Sequence, residues 1–342
     1  MLKFGLWWVR WDKDTGTYES RMTVGSRKAT VGDFKERDFD RIVVLSGEGR
    51  GIKYSGRGYG NGYMDGLHFA HWVLSEILGN VKYYITIPFS DKSGNLRDNP
   101  ANGFNGSYWA GWIDGVLNVY DPRRIGFYWS YESCLQATIN DPAVKVLGIS
   151  DKEQYKEAYI QFIEDMSNYI HNHGLELIWI PATGGRGVTY LRKGAFDGIL
   201  KIGGYFDYVF VQPNYYEYPE CIEYINDTKQ QFPYSYEKLV EKIRFIHEEL
   251  TEAARKQNPH TTVSIEMEAD SAVLPDQCGH CALCEYKNKQ CVKCDNEGCL
   301  ERACDYYRAI MEVNPNAFST RAYYFGTDLR VVDKVRGRCP GW

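Results

Sequence analysis

Glu132 closes the run GFYWSYES (126–133), a stretch whose other residues are aromatic, small or hydroxylic. Read with the two-residue period of a strand, Gly126, Tyr128, Ser130 and Glu132 share one face, while Phe127, Trp129 and Tyr131 share the other. A second run, TVSIEMEAD (262–270), sets Ser264, Glu266, Glu268 and Asp270 on one parity against Val263, Ile265, Met267 and Ala269. Burying a carboxylate without a partner costs several kcal/mol, so such a ladder needs cations, hydrogen-bond donors or a ligand site. Paired carboxylates suit glycoside hydrolysis. One, kept protonated by an apolar setting, donates to the leaving oxygen, and the other, ionised, attacks or stabilises the oxocarbenium-like centre.

Something must hold these residues face to face. Eight short apolar or aromatic runs recur along the chain: 4–10, 41–47, 81–89, 124–132, 175–182, 206–216, 262–270 and 320–327. Helix-period segments lie between them, over 66–78, 108–119, 151–173, 188–201, 236–257 and 299–313. Strands alternating with helices imply parallel pairing through right-handed crossovers, and a count of eight predicts a closed (β/α)8 TIM barrel rather than an open doubly wound sheet. Residues 1–342 then form one domain, with Glu132 ending strand four and Glu266 and Glu268 ending strand seven, on opposite walls. Two long inserts follow strand ends, at 46–66 and 271–298. Barrels build their active sites on that side.

Glutamates at the ends of strands four and seven resemble the large clan of (β/α)8 glycoside hydrolases, which commonly has Asn before its strand-four acid where this chain has Tyr131. More closely, GFYWSYES, DYVFVQPNYY and IEMEAD resemble domain-of-unknown-function family 4855, glycosidase-like barrels. The resemblance implies Glu132 as acid/base and Glu268 or Glu266 as nucleophile. Depth favours Glu268, nearer the mouth, and leaves Glu266 as the buried partner of a cation. The alternative is a catalytically silent barrel that binds a glycan or a protein.

Further candidates surround this pair. Tyr128 is expected just below Glu132, Gln212 and Asn214 can bond sugar hydroxyls, and Tyr216, Trp179 and Trp8 offer rings to pyranose faces. The glycine-rich stretch 46–66 reads as a flexible loop, or as a rim lending Arg57 to a glycan. It lacks the GK[ST] ending of a phosphate cradle. The seven histidines fall in helices or loops, away from the strand ends where a hydrolytic metal would sit, and no G-x-S-x-G elbow is present. No catalytic cofactor is expected.

Seven of ten cysteines crowd into 278–304. Cys281-x2-Cys284 and Cys291-x2-Cys294, with Cys278 able to replace a member of the first pair, predict a structural zinc in an insert spanning 271–304, with an iron–sulfur cluster as the alternative. Such clustering, and a start (MLKFGLWWVRWDKD) without the features of a secretory leader, predict a cytoplasmic protein. A net charge of −5 and the absence of a long apolar run argue against nucleic-acid and membrane partners. An excess of aromatics, 27 Tyr and 9 Trp, fits a carbohydrate partner.

Overall fold

A computed structural model describes residues 1–76 and 79–342. The eight expected runs become strands β1 (Leu2–Asp12), β2 (Arg41–Leu45), β3 (Lys82–Ile87), β4 (Arg124–Trp129), β5 (Glu176–Trp179), β6 (Tyr208–Val211), β7 (Thr262–Glu268) and β8 (Thr320–Tyr324). Each pairs in parallel with the next, and β8 pairs with β1, so the ring is a closed (β/α)8 barrel. Its helices are α1 (Val31–Lys35), α2 (Tyr59–Glu76), α3 (Tyr108–Leu117), α4 (Lys152–Asn172), α5 (Phe196–Ile202), α6 (Tyr236–Phe245), α7 (Asn296–Val313) and α8 (Arg330–Arg338). Among the described residues, no helix is long and apolar enough to cross a membrane.

Parity divides the core into two layers. Phe4, Leu6, Val43, Tyr84, Ile178 and Phe210 fill the barrel interior, whereas Trp7, Ile85, Phe127, Trp129 and Trp179 face the helices. At the N-terminal end, Arg41 bonds Glu176 at 2.7 Å and stacks over the rings of Phe4, Tyr84 and Tyr208, closing the bottom with a satisfied cation. The interior therefore opens only toward the C-terminal ends of the strands, where function sits in this fold.

The stretch 46–66 differs from expectation. Helix α2 starts at Tyr59, well before the expected 66, and the far end expected at 77–78 lies outside the described residues. Gly62 and Gly66 of α2 lie against the backbone of Tyr108 and Trp112 in α3, and Gly111 and Gly115 of α3 against that of Tyr59, Tyr63 and Leu67 in α2. A Cβ at Gly62, Gly111 or Gly115 would stand 2.0 Å from the carbonyl oxygen of Tyr108, Tyr59 or Tyr63 respectively. Glycines that read as loop punctuation are thus the contact surface of a helix pair. Other boundaries moved for local reasons: Asp151, not Ser150, caps α4 through the Gln154 N–H, and Asp295 starts α7 three residues early by accepting from the Gly298 N–H.

The insert after β7 is a small hairpin, Cys284–Lys287 against Gln290–Cys294, with mostly exposed side chains. Disulfides join Cys278 to Cys291, Cys281 to Cys299, Cys284 to Cys294 and Cys304 to Cys339. The expected two-knuckle zinc set of Cys281, Cys284, Cys291 and Cys294 is not assembled. Cys291 and Cys294 lie on the second strand of the hairpin, whose bulge sets Cys294 opposite Cys284 but Cys291 opposite Tyr286, further along the strand. Cys291 accordingly turns to Cys278, outside the cluster that Cys294 joins. The same spacing serves a strand and a metal knuckle, so sequence could not separate the two.

The helix contact sets a test. Gly111→Ala raises intrinsic helix propensity by about 1 kcal/mol, yet its Cβ would meet the Tyr59 carbonyl. The expected net effect is a loss of about 1–3 kcal/mol from overpacking, read as a lower urea midpoint at unchanged m. A midpoint equal to or above wild type would show that the two helices can part at no cost.

Candidate active site

Beyond β4 the chain stays extended, and the Ala182 N–H donates to the Glu132 carbonyl at 2.6 Å. That bond continues the β4–β5 ladder and fixes the inward parity of the Glu132 side chain. The carboxylate enters a cavity of about 240 Å³ at the barrel mouth. Tyr128, one inward step below, donates its hydroxyl to Glu132 Oε1 at 3.1 Å, and Gln212 Nε2 lies 3.4 Å from Oε2.

Across the barrel, β7 turns Ser264, Glu266 and Glu268 inward, all buried. Glu268 is held by two donors: the backbone N–H of Asn214 to Oε1 at 2.8 Å, and the Tyr306 hydroxyl from α7 to Oε2 at 2.6 Å. Asn214 aims its N–H there because it adopts a left-handed conformation (φ 55°) that Asn tolerates well. Its side chain accepts from the Gly184 N–H and donates to Gln212 Oε1, so Gln212 and Asn214 bridge Glu132 to Glu268. Behind this turn the fully buried ammonium of Lys242 donates to the Pro213 carbonyl at 3.0 Å and the Thr183 hydroxyl at 3.2 Å. Glu266 is 3% exposed and, among the described residues, receives no hydrogen bond.

Electrostatics follow from crowding acids in a buried place. Burial, followed by the field of Glu48, raises the Glu132 carboxyl to about 7, against the pull of Tyr128 and Gln212. Burial and the neighbouring Glu217 raise Glu268, opposed by Tyr306, the Asn214 N–H and Lys242. Glu266 is raised well above its ordinary range, by burial and then by Glu268, Glu132 and Glu217. Burial lowers Lys242 to about 7. The two outer carboxylates therefore carry donors that favour their ionised forms, and Glu266 keeps its proton.

Of the expected residues, Glu132, Glu266, Glu268, Tyr128, Gln212, Asn214 and Trp8 line this one cavity. Trp179 does not. Its parity on β5 turns it into the outer core, where its indole N–H donates to the Tyr131 carbonyl at 2.7 Å. Tyr216 is also buried away from the cavity, its hydroxyl supporting Asp270 at 2.9 Å. Arg57 lies exposed on the connection into α2, outside the cavity lining. Sequence reasoning missed Glu217, His280 and Tyr324 in the lining, which Leu6, Leu45 and Ile180 complete. Tyr324 was readable from the parity of β8. Glu217 and His280 lie on loops, where no periodicity applies, and His280 is brought in by the bond from its backbone N–H to Asp270.

Fold and site together define a (β/α)8 barrel with buried carboxylates gathered at its C-terminal mouth. No family model matches the chain. It is similar, at 29% identity over 374 aligned positions, to an uncharacterized protein of Methanocaldococcus jannaschii; the match covers 99% of this chain and 92% of that protein. Solved structures similar to it include a GH18 chitinase from Pseudoalteromonas aurantia (10% identity, TM-score 0.43, 99% of each chain). Others are a family GH18 chitinase from Chromobacterium violaceum (13%, 0.39, 98% of this chain and 80% of that one) and the AHE enzyme from Alicyclobacillus herbarius (10%, 0.44, 87% and 75%).

Raised carboxyls make stability depend on pH. From their ordinary value of 4.5 up to about 7 for Glu132, the folded chain keeps protons that the unfolded chain has lost. Their stabilising contribution is complete below the unfolded value and is lost as pH rises through the folded one. Urea midpoints should fall from pH 4.5 to 8, and Glu266→Gln, which removes a carboxyl raised well above its ordinary range, should flatten that decline and gain stability at pH 8. An unchanged slope in the variant would show that Glu266 ionises normally.

Proposed function

We propose that the protein is a glycoside hydrolase that cleaves an oligo- or polysaccharide by a two-carboxylate, retaining mechanism. The observation that carries this reading is the single buried cavity shared by Glu132 and Glu268, which enter it from opposite walls of the barrel with separate sets of donors. On the same strands' strings we also propose membership of domain-of-unknown-function family 4855.

Glu132, with a pKa of about 7, retains a useful fraction of its proton at neutral pH and is the general acid. It protonates the glycosidic oxygen as the bond to the anomeric carbon breaks. Glu268 attacks that carbon from the opposite side as a carboxylate, the form that Tyr306, the Asn214 N–H and Lys242 favour against the burial and the Glu217 charge that raise its pKa. In the second half, Glu132, now ionised, takes a proton from water as the water displaces Glu268, restoring both groups. Glu266 in its protonated form offers one donor and one acceptor to a sugar hydroxyl. Trp8 and Tyr324, whose ring centroids lie 6.1 Å apart at the mouth, offer apolar faces to a pyranose.

A glycan-library screen read by reducing-end release tests the proposal. Wild type should release reducing ends from at least one substrate, and its rate should fall as pH rises through about 7, where Glu132 loses its proton. Glu132→Gln and Glu268→Gln should each lower kcat by about 10²–10⁴-fold. If both amide variants turn over that substrate as wild type does, the paired mechanism is lost and the binding barrel becomes the better reading.

A further inference from the structure

The hairpin insert brings more sulfur together than any single disulfide requires. Cys284, Cys294 and Cys299 have sulfurs within 4.8 Å of one another. Cys281 joins them through its bond to Cys299, and Cys284 is bonded to Cys294. The sulfurs of Cys294 and Cys299, which belong to different disulfides, lie 3.8 Å apart. Thiolates around a tetrahedral zinc, at about 2.3 Å from the metal, stand about 3.8 Å from each other.

We propose that in the reduced protein Cys281, Cys284, Cys294 and Cys299 bind one zinc ion as a closed tetrathiolate site, in place of the two disulfides that join them here. The four ligands come from a C-x2-C turn, the far end of the hairpin and the first turn of α7, so one ion would tie together the three parts of the insert. Cys299 lies near the N-terminal end of an 18-residue helix, where the helix field favours a thiolate. Cys281 and Cys299 are buried and Cys284 and Cys294 half-buried, which shields a site of net charge −2 from competing ligands. Cys278 and Cys291 take no part, because they are bonded to each other further along the hairpin, where Cys291 stands opposite Tyr286 rather than Cys284.

The chemistry balances without further partners. Two equivalents of a dithiol, each closing to its own disulfide, or of a phosphine, each oxidised to the phosphine oxide with water supplying the oxygen and protons, reduce the two disulfides to four thiols, and zinc then displaces four protons from them. Either set of bonds fixes the insert and with it His280, which lines the cavity between Cys278 and Cys281. The ambient thiol–disulfide poise selects between them. This inference does not rest on the proposed hydrolase activity.

The full-length chain, reduced with a phosphine under inert gas, is titrated with Co²⁺ as a spectroscopic stand-in for zinc. The expected result is about one cobalt per chain with the visible bands of tetrahedral thiolate coordination, bleached by zinc. Cys278→Ser and Cys291→Ser should retain those bands, and Cys281→Ser and Cys299→Ser should lose them. Because a serine variant can fail to fold, wild type is also alkylated with and without zinc and mapped by mass spectrometry. Zinc should protect Cys281, Cys284, Cys294 and Cys299 and leave labelling of Cys278 and Cys291 unchanged. Folded, reduced wild type that binds no cobalt overturns the proposal. So does protection that includes Cys291 and omits Cys299.

Discussion

Three acidic side chains share one buried cavity, and the rest of the structure answers that constraint. Glu132, Glu266 and Glu268 are each raised by burial and then by one another or by further acids nearby. Among the described residues, no arginine or lysine lines the cavity to neutralise them. The structure supplies hydrogen-bond donors instead: Tyr128 and Gln212 on one wall, Tyr306 and the Asn214 N–H on the other. One cation, Lys242, stands behind the wall and reaches Glu268 through its field rather than by contact. A site built this way is held at the edge of ionisation, where protonation states can change within a reaction cycle.

The scaffold has to be stiff for such a site to persist. Closure of the ring pairs each of its eight strands on both sides, so the inward parity of β4 and β7 cannot slip by one residue without exchanging the acids for Tyr131 or Met267. The Gln212–Asn214 bridge then couples two walls through side-chain amides and one left-handed backbone residue. Outside the ring, the glycine contacts between α2 and α3 hold those helices closer than side chains would allow, which draws 59–66 out of the mouth and into the helical layer.

What could be read from sequence follows the same physics. Eight strands and the facing of Glu132, Glu266, Glu268, Tyr128 and Gln212 were legible because period two is local and a closed barrel enforces it. Trp179 was misread because its chemistry as a ring was weighed above its parity, which places it with Leu177 in the outer layer. Tyr306 and Lys242 were invisible for another reason. Each sits on a helix that looks ordinarily amphipathic, and only tertiary packing reveals that a buried hydroxyl and a buried ammonium face the site. In the glycine-rich stretch, the four-residue spacing of Gly62 and Gly66, matched by Gly111 and Gly115, was the available signal for a close helix pair.

The insert after β7 is the least legible part and is tied most directly to the mouth. Its hairpin exposes most of its side chains and buries too little apolar surface to order itself, so covalent or metal bonds have to supply the stability that a core would. The order matters beyond the hairpin, because Asp270 at the end of β7 takes the Tyr216 hydroxyl on one oxygen and the His280 N–H on the other. One carboxylate thus joins the wall carrying the catalytic candidates to the loop that completes the cavity. Sulfur bonding on either side of His280 restricts where that imidazole can lie, and through it the field at Glu217. A cysteine-rich decoration that reads as peripheral in sequence is, in the fold, part of the wall of the site.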